Sequence, residues 1–465
     1  MRDEIIAPVK PRDACGVCGG FATGQDMAFL TCFALYALQH RGQESAGIAA
    51  GAGGGKKMWV KRGMGLVSEV FPDSAELKKI KCNLAIGHVR YSYGSEGRSP
   101  ENTQPLRLRY RHGELATAHN GHLLNSRSLR LELEEGGAIF QTDTDSELLA
   151  HLVARQGSIN LEEALAAVVP RLKGAYAFVV TDGRKVIGMR DGYGFRPLSL
   201  GKLDGGYFLS SETCAFDTIG AEFVRDVLPG EMVVLDEQGV RSLRVTGAEQ
   251  ESLCIFEYIY FARPDSNLQG KNVHLVRREL GRRLAREHPV KADIVSGVPD
   301  SSIAAASGFA EEARLPYEMS LVKNRYIGRT FIKPTQQMRE EGVDLKLNAV
   351  QKIVEGKRVV LVDDSIVRGT TSLKLIRIMR RAGAKEVHLR ISSPPVSGSC
   401  HYGIDIPNPV DLIANKHDLE EIRKMTCADS LGYLSMAETV AAVGLPSGNL
   451  CQACFTGDYP LRPEE

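Results

Sequence analysis

The run Val359-Val-Leu-Val-Asp363-Asp364-Ser365-Ile-Val-Arg368-Gly369-Thr370-Thr371 constrains the fold of this chain more than any other stretch. Its apolar start, with no polar residue alternating through it, is the pattern of a strand buried on both faces. The strand delivers two carboxylates into a turn rich in hydroxyls. A helical pattern over 371–382 follows, and Gly383 is well suited to the position after a helix end. Strand, loop and helix in that order form one βα unit of a parallel sheet, and ligands bind at the carboxyl ends of such strands. Ser365, Gly369, Thr370 and Thr371 bring hydroxyls and close backbone N–H groups to a helix N-terminus, where orphan amides and the macrodipole favour a phosphate. Adjacent acids beside such a nest suit ribose hydroxyls and Mg²⁺.

The neighbouring segments agree. A helix is predicted over 275–288 and strands over 292–296, 358–362 and 387–393, so the second half reads as α/β with a mainly parallel sheet. From residue 16 to about 251 the pattern changes to short alternating strands, such as 176–181 and 185–189, divided by Gly and Asp turns. The clearest helices there are 27–39 and 146–155. The polar stretch 247–252 is the candidate linker, and at roughly 150 residues per domain a chain of 465 residues accommodates this two-part plan. Lys and Arg number 58 against 57 Asp and Glu, a balance that gives no basic face for nucleic acid. No apolar run approaches the roughly 18–20 residues that span a bilayer. The first fourteen residues lack the apolar core of a secretory signal, so a cytoplasmic location is expected. There the ten cysteines serve as thiols, metal ligands or catalysts rather than as a disulfide framework.

Residues 359–371 resemble the phosphoribosyl pyrophosphate (PRPP) signature of type I phosphoribosyltransferases. The resemblance implies that Asp363 and Asp364 hold the ribose, while Ser365, Arg368, Gly369, Thr370 and Thr371 hold the 5-phosphate. A second loop, Gly297-Val-Pro-Asp300-Ser301-Ser302, fits the position of the pyrophosphate loop, and by resemblance Ser301 joins Asp363 and Asp364 near one Mg²⁺ per subunit. Lys323, Arg325, Arg329 and Lys333 surround Gly328. They form either a solvated basic loop or a lid over the leaving pyrophosphate.

Cys15-Gly-Val-Cys18 taken alone is a redox pair or half of a zinc site with Cys451-x-x-Cys454. Its company changes the reading. Gln39-His-Arg41-Gly42-Gln-Glu-Ser-Ala-Gly47, Gly87-His88-Val-Arg90-Tyr91, His119-Asn120-Gly121 and Thr144-Asp145-Ser146-Glu147 follow in order, and together they resemble class II glutamine amidotransferases. In that family a cysteine made N-terminal by processing attacks the glutamine amide, with its own α-amine, pKa about 8, as base. The resemblance implies that Arg90 pairs with the substrate carboxylate and Asp145 with its ammonium. Asn120 and the Gly121 N–H would stabilise the oxyanion. His88, His119 and His122 are read as structural. Residues 1–14 would then be a propeptide, since Cys15 offers no amine while they remain attached.

Cys254, Cys400, Cys451 and Cys454 are open to three readings from spacing alone: buried thiols, zinc, or iron and sulfur. Their contexts, Leu253-Cys254-Ile-Phe-Glu257-Tyr258, Cys400-His-Tyr-Gly-Ile-Asp405 and Cys451-Gln-Ala-Cys454-Phe-Thr-Gly457, resemble the iron–sulfur, propeptide-containing subgroup of the glutamine PRPP amidotransferases. That resemblance runs from residue 15 to 460 and implies one 4Fe-4S cluster per subunit. Cys32, Cys82, Cys214 and Cys427 read as packing residues, while Cys18 and Tyr93 depart from the family pattern.

The whole resemblance implies a propeptide over 1–14, then an N-terminal nucleophile αββα sandwich over 15–251. An α/β type I phosphoribosyltransferase domain with a mainly parallel sheet follows over 252–465. The implied activity hydrolyses glutamine and passes ammonia to PRPP, giving 5-phosphoribosylamine at the first committed step of purine synthesis. Feedback by purine nucleotides and a homotetramer are implied in the same way. Another class II amidotransferase would have no reason to carry residues 359–371. A nucleotide-sensing regulator on a phosphoribosyltransferase fold would not need Cys15 or the Asn120-Gly121 pair.

Overall fold

A computed structural model describes residues 15–51, 57–91, 99–158, 160–247, 250–324 and 347–462. The expected propeptide, Tyr93, Arg325, Arg329 and Lys333 lie outside the described residues.

The first half stacks two antiparallel sheets. One has seven strands in the order Glu222–Asp226, Ser199–Leu203, Gly206–Ser210, Gly16–Ala22, Leu84–Arg90, Ser45–Gly51, Trp59–Met64. The other has six, in the order Gly239–Arg244, Glu231–Asp236, Val186–Arg190, Gly174–Thr181, Gly113–Leu123, Leu106–Tyr110. Period-2 alternation divides the side chains between layers. From the strand Gly16–Ala22, Val17 and Phe21 enter the interior of the sandwich beside Ala118 and Val179. Cys18 and Ala22 face the other way and pack under the helix Met27–Ala37 with Cys32 and Leu35. From Gly174–Thr181, Ala177 and Val179 point inward, whereas Tyr176, Phe178 and Val180 meet the helices Ser126–Glu135, Asp145–Arg155 and Leu161–Val168. Both faces of the central strands are therefore covered, which gives the four layers of an αββα sandwich.

The second half is built on four parallel strands, in the order Ile294–Gly297, Arg358–Asp363, Glu386–Ile391, Ser430–Tyr433. Val360 and Val362 face the helices Val273–Glu287 and Ile303–Ala313, and Val359 and Leu361 face Thr370–Arg381 and Leu419–Thr426. The predicted segments thus appear within one or two residues of their expected ends. The strand Ser430–Tyr433 and the pairing of Leu253–Cys254 with Leu450–Cys451 were not read from sequence. These are two-to-four-residue pieces whose partners lie far along the chain, so no local pattern announces them. Among the described residues no helix is long and apolar enough to cross a membrane.

Candidate active sites

Cys15 stands immediately before the strand Gly16–Ala22, half-buried. The antiparallel register sets Gly16 opposite Val89 and so carries Cys15 alongside Arg90 and Tyr91. Its Sγ lies 3.4 Å from the Tyr91 carbonyl oxygen and 3.5 Å from the Tyr91 amide nitrogen. Burial pushes the thiol up, and the Tyr91 backbone with the charges of Arg90, Arg41 and Arg196 pulls against that. His88 joins the two sheets through a 3.0 Å contact from Nε2 to the His119 carbonyl, which brings the strand of Arg90 against the strand of Asn120. Asn120 is fully buried, and neither atom of its amide meets a hydrogen-bond partner among the described residues. Such a group costs free energy unless a ligand satisfies it. Gly121 follows at φ +133°, and a Cβ there would come within 2.0 Å of the Ala175 carbonyl oxygen.

Asp145 opens the helix Asp145–Arg155. That helix start is tied to the strand of Asn120 through Gln104, whose Oε1 accepts from the Ser146 hydroxyl at 2.7 Å and from the His119 N–H at 2.8 Å. Asp145 Oδ2 accepts the Leu123 N–H at 2.9 Å and lies 3.6 Å from His122 Nδ1 and 3.8 Å from His119 Nδ1. Burial alone would raise this carboxyl, but His122, then His119 and the Leu123 N–H, hold it below its ordinary value. His88 and His119 are driven down by burial, to about 3 and about 4, and stay neutral.

Sequence reasoning missed the residues that join the halves. Arg41 is fully buried and reaches Glu212 at 2.5 Å in the first half and both oxygens of Glu257 at 2.9 and 2.7 Å in the second. Its Nε donates to the Cys15 carbonyl at 3.1 Å. Arg196, also buried, donates to the Tyr402 carbonyl and lies 3.7 Å from Glu257. Glu212 further accepts the Ser266 hydroxyl at 2.7 Å and the Arg263 N–H at 2.8 Å. Arg41 and Glu257 both stood in quoted motifs, but charged residues read as surface by default, and only the fold puts them together. The loop around Gly403 also crosses over: a Cβ on Gly403 would sit 2.7 Å from the carbonyl carbon of Gly121.

In the second half the buried Asp363 and Asp364 end the strand Arg358–Asp363 and begin the loop. Ser302 donates to Asp363 at 3.1 Å, Ser365 donates to Asp364 at 2.7 Å, and Ser301 donates to the other oxygen of Asp364. Residues 365–372 wrap a small, open hollow whose entire lining is that one loop and helix start. Gly369 occupies the N-cap of Thr370–Arg381 and no side chain caps it, so the first-turn amides face the hollow's end of the helix unclaimed by a cap. Arg368 lies 3.6 Å from Asp411, and Lys323 pairs with Asp300 of the second loop at 2.8 Å.

Cys254, Cys400, Cys451 and Cys454 line one small cavity with Phe195, Arg196 and Tyr402. The expectation of a metal cluster there is corrected. Among the described residues no group of three or more His, Cys, Asp or Glu side chains is arranged to hold a metal ion. Burial pushes the thiols of Cys254, Cys451 and Cys454 up, Cys254 to about 12. Among the described residues no such metal-holding group is found around Ser301, Asp363 and Asp364 either, so the Mg²⁺ expected there is not shown; Ser302 and Ser365 share in hydrogen-bonding the two carboxylates.

Two family profiles divide the chain as its two sites do. One described as a glutamine amidotransferase domain matches residues 88–218, and one described as a phosphoribosyl transferase domain matches residues 268–392. The amidophosphoribosyltransferase of Bacillus subtilis is 49% identical over 464 residues, covering 98% of this chain and 96% of that protein. This chain belongs to the amidophosphoribosyltransferase family. The amidophosphoribosyltransferase of Methanothermobacter thermautotrophicus is 47% identical over 98% of this chain and 96% of its own. A solved structure described as the allosteric regulatory enzyme of purine biosynthesis superposes with a TM-score of 0.92 at 48% identity, covering 97% of each chain. The B. subtilis glutamine PRPP amidotransferase complexed with ADP and GMP gives 0.91 at 48% identity, over 97% of this chain and 98% of that one. The sandwich and the parallel-sheet half described above are thus the two parts of an amidophosphoribosyltransferase fold.

Proposed function

We infer that the chain converts glutamine and PRPP into glutamate, pyrophosphate and 5-phosphoribosylamine, the reaction that opens purine synthesis. The observation that carries this reading is the union of two sites in one body: a thiol against the Tyr91 backbone with an unsatisfied buried amide at Asn120 on the facing sheet, and a hollow at a helix N-terminus, joined by the buried Arg41–Glu257 pair.

Residues 15–251 form the glutaminase and residues 252–465 the phosphoribosyl-transferring part. Removal of residues 1–14 frees the Cys15 α-amine, which takes the thiol proton, and the thiolate attacks the glutamine amide carbon. Asn120 and the Gly121 N–H hold the oxyanion; this gives the buried Asn120 amide the partner it otherwise lacks. Arg90 and Asp145 hold the α-carboxylate and α-ammonium. The proton returns through the amine to the leaving ammonia, and water then hydrolyses the γ-glutamyl thioester. Ammonia passes within the protein and attacks C1 of PRPP as the bond to pyrophosphate breaks. Asp363 and Asp364 orient the ribose, while Ser365, Arg368, Gly369, Thr370 and Thr371 hold the 5-phosphate. Lys323, with Arg325 and Lys333 beyond it, takes up charge on the pyrophosphate.

The enzyme works in the cytoplasm as a homotetramer inhibited by purine nucleotides. The inhibition by purine nucleotides is supported by the complex of the B. subtilis relative with ADP and GMP. Purified enzyme given glutamine and PRPP is expected to form glutamate and pyrophosphate in equal amounts, with an intact mass that begins at Cys15. Glutamate release without any PRPP consumption would assign the chain to a different class II amidotransferase, and active enzyme retaining residues 1–14 would remove the α-amine from the mechanism.

A further inference from the structure

Three histidines surround the substrate-ammonium side of the first site, and they are not equivalent. His119 is buried and stacked on Phe178 at 4.3 Å, so it stays neutral. His401, from the loop of the second half, is also driven down, by burial and then by the charge of His122. His122 is the exception: its side chain is 52% exposed, and its Nδ1 lies 3.6 Å from the same Oδ2 of Asp145 that takes the Leu123 N–H. Burial would lower its pKa, yet the hydrogen bond and charge of Asp145 outweigh that and raise it. The charged and titratable groups facing this pair are Asp145 from the helix, His119 from the same strand and His401 from the other half, with the charge of Arg196 reaching His119.

A carboxylate that must receive the α-ammonium of glutamine therefore already has a cation available beside it. We propose that His122 is a positioning residue that competes with the glutamine ammonium for Asp145, so that glutamine is captured as His122 gives up its proton. The inference rests on the reading of Asp145 as the ammonium acceptor. Protonated His122 occupies Asp145 and keeps it fixed in the empty site. Deprotonation, or rotation of this exposed ring toward solvent, releases the carboxylate to the substrate. By linkage, bound glutamine makes His122 easier to deprotonate to the same extent. Acidification then weakens glutamine capture by a route separate from the α-amine that serves the thiol, so the two are told apart by comparing His122 variants that share that amine.

The test measures KM and kcat for glutamine between pH 5.5 and 8 at saturating PRPP, with ammonia-dependent synthesis on each variant as the check of its fold. In the native enzyme KM should rise on acidification, by up to about tenfold per pH unit below the His122 titration. His122→Asn, neutral throughout, should hold a low and flat KM. His122→Lys, charged throughout, should hold a high one, with the pH profile of kcat keeping one shape in all three. Superposable KM profiles for the native enzyme and His122→Asn would overturn the proposal. A separate variant guards the premise: if Asp145→Asn kept the native glutamine KM, the ammonium-site reading itself would fall, whereas a raised KM there with no change in His122→Asn would sink the His122 role alone.

Discussion

The two sites of this chain are made in opposite ways. The phosphate cradle is one contiguous stretch, 363–372, and its shape belongs to a single strand, loop and helix. The proposed glutamine pocket takes Cys15, Arg90, Asn120 and Asp145 from four separate stretches: the start of one strand, two further strands in the two sheets, and the start of one helix. A local cradle survives small shifts of the surrounding body, because its donors move together. A dispersed pocket holds its geometry only while sheet register and layer packing hold, so here chemistry depends on stability. The contrast predicts which perturbations stay within one half and which cross between them.

The largest effect should come from Cys15→Ala, which removes the proposed nucleophile of the dispersed site and nothing else. Glutamine-dependent synthesis is expected to fall by about 10⁴-fold or more, while synthesis from ammonium chloride at alkaline pH persists. The variant should be made to begin at residue 15, so that an unprocessed N-terminus does not confuse the assay. Loss of both activities in a folded variant would mean that the two sites are not separable as described.

Next in size is Glu257→Gln, aimed at the join rather than at either site. Removing one member of a buried ion network leaves Arg196 without its carboxylate and Arg41 with Glu212 alone, and costs about 3–5 kcal/mol, read as a shift in the urea midpoint. The network also sets an acid limit. Burial would raise the Glu212 carboxyl, but His40 and Arg41 hold it well below the usual range. Its contribution to stability is therefore complete above the unfolded-state value of about 4.3 and is lost as pH falls from there toward the folded value. An unfolding midpoint unchanged in Glu257→Gln would show that the halves are held together elsewhere.

Asp364→Ala mirrors the first variant from the compact site. Nitrogen donor should not matter, since the carboxylate acts after ammonia is made, and a loss of about 2–4 kcal/mol in transition-state stabilisation is expected with glutamine and with ammonia alike. A loss confined to glutamine would place Asp364 in the coupling rather than at the ribose.

How much of this was legible in the sequence follows the same division. The stretch 359–371 announced its strand, loop, helix and anion site together, because period, turn chemistry and charge lie within thirteen adjacent residues. The sandwich was legible only through the order of Cys15, Arg90, Asn120 and Asp145 and their resemblance to a family. Strand alternation gave the pieces but not the two sheets. Arg41, Arg196, Glu212 and Glu257 were invisible as a network, since a buried ion pair has no sequence period and its members lie up to 216 positions apart. The four distant cysteines show the converse hazard. Their contexts brought them correctly into one cavity, yet shared location did not supply a metal-binding arrangement among the described residues.

The smallest expected effect probes a backbone contact between the two regions beside the proposed oxyanion pair. Gly403 sits at φ +94°, and a Cβ there would approach the carbonyl carbon, oxygen and Cα of Gly121 at 2.7, 2.9 and 3.0 Å. Gly403→Ala must therefore strain its own backbone and push on the Asn120–Gly121 segment, which is backbone rather than a side chain that can swing away. A displacement of a few tenths of an ångström of an oxyanion donor weakens the transition state more than the substrate complex. The variant should lose about 1–2 kcal/mol in kcat for glutamine, roughly ten- to thirtyfold, with little change in glutamine KM. Ammonia-dependent synthesis should stay near the native rate, because the loop 365–372 shares no atom of this contact. Equal losses with both donors would mean that the cradle, too, depends on how the halves are seated, and the division between a local and a dispersed site would fail.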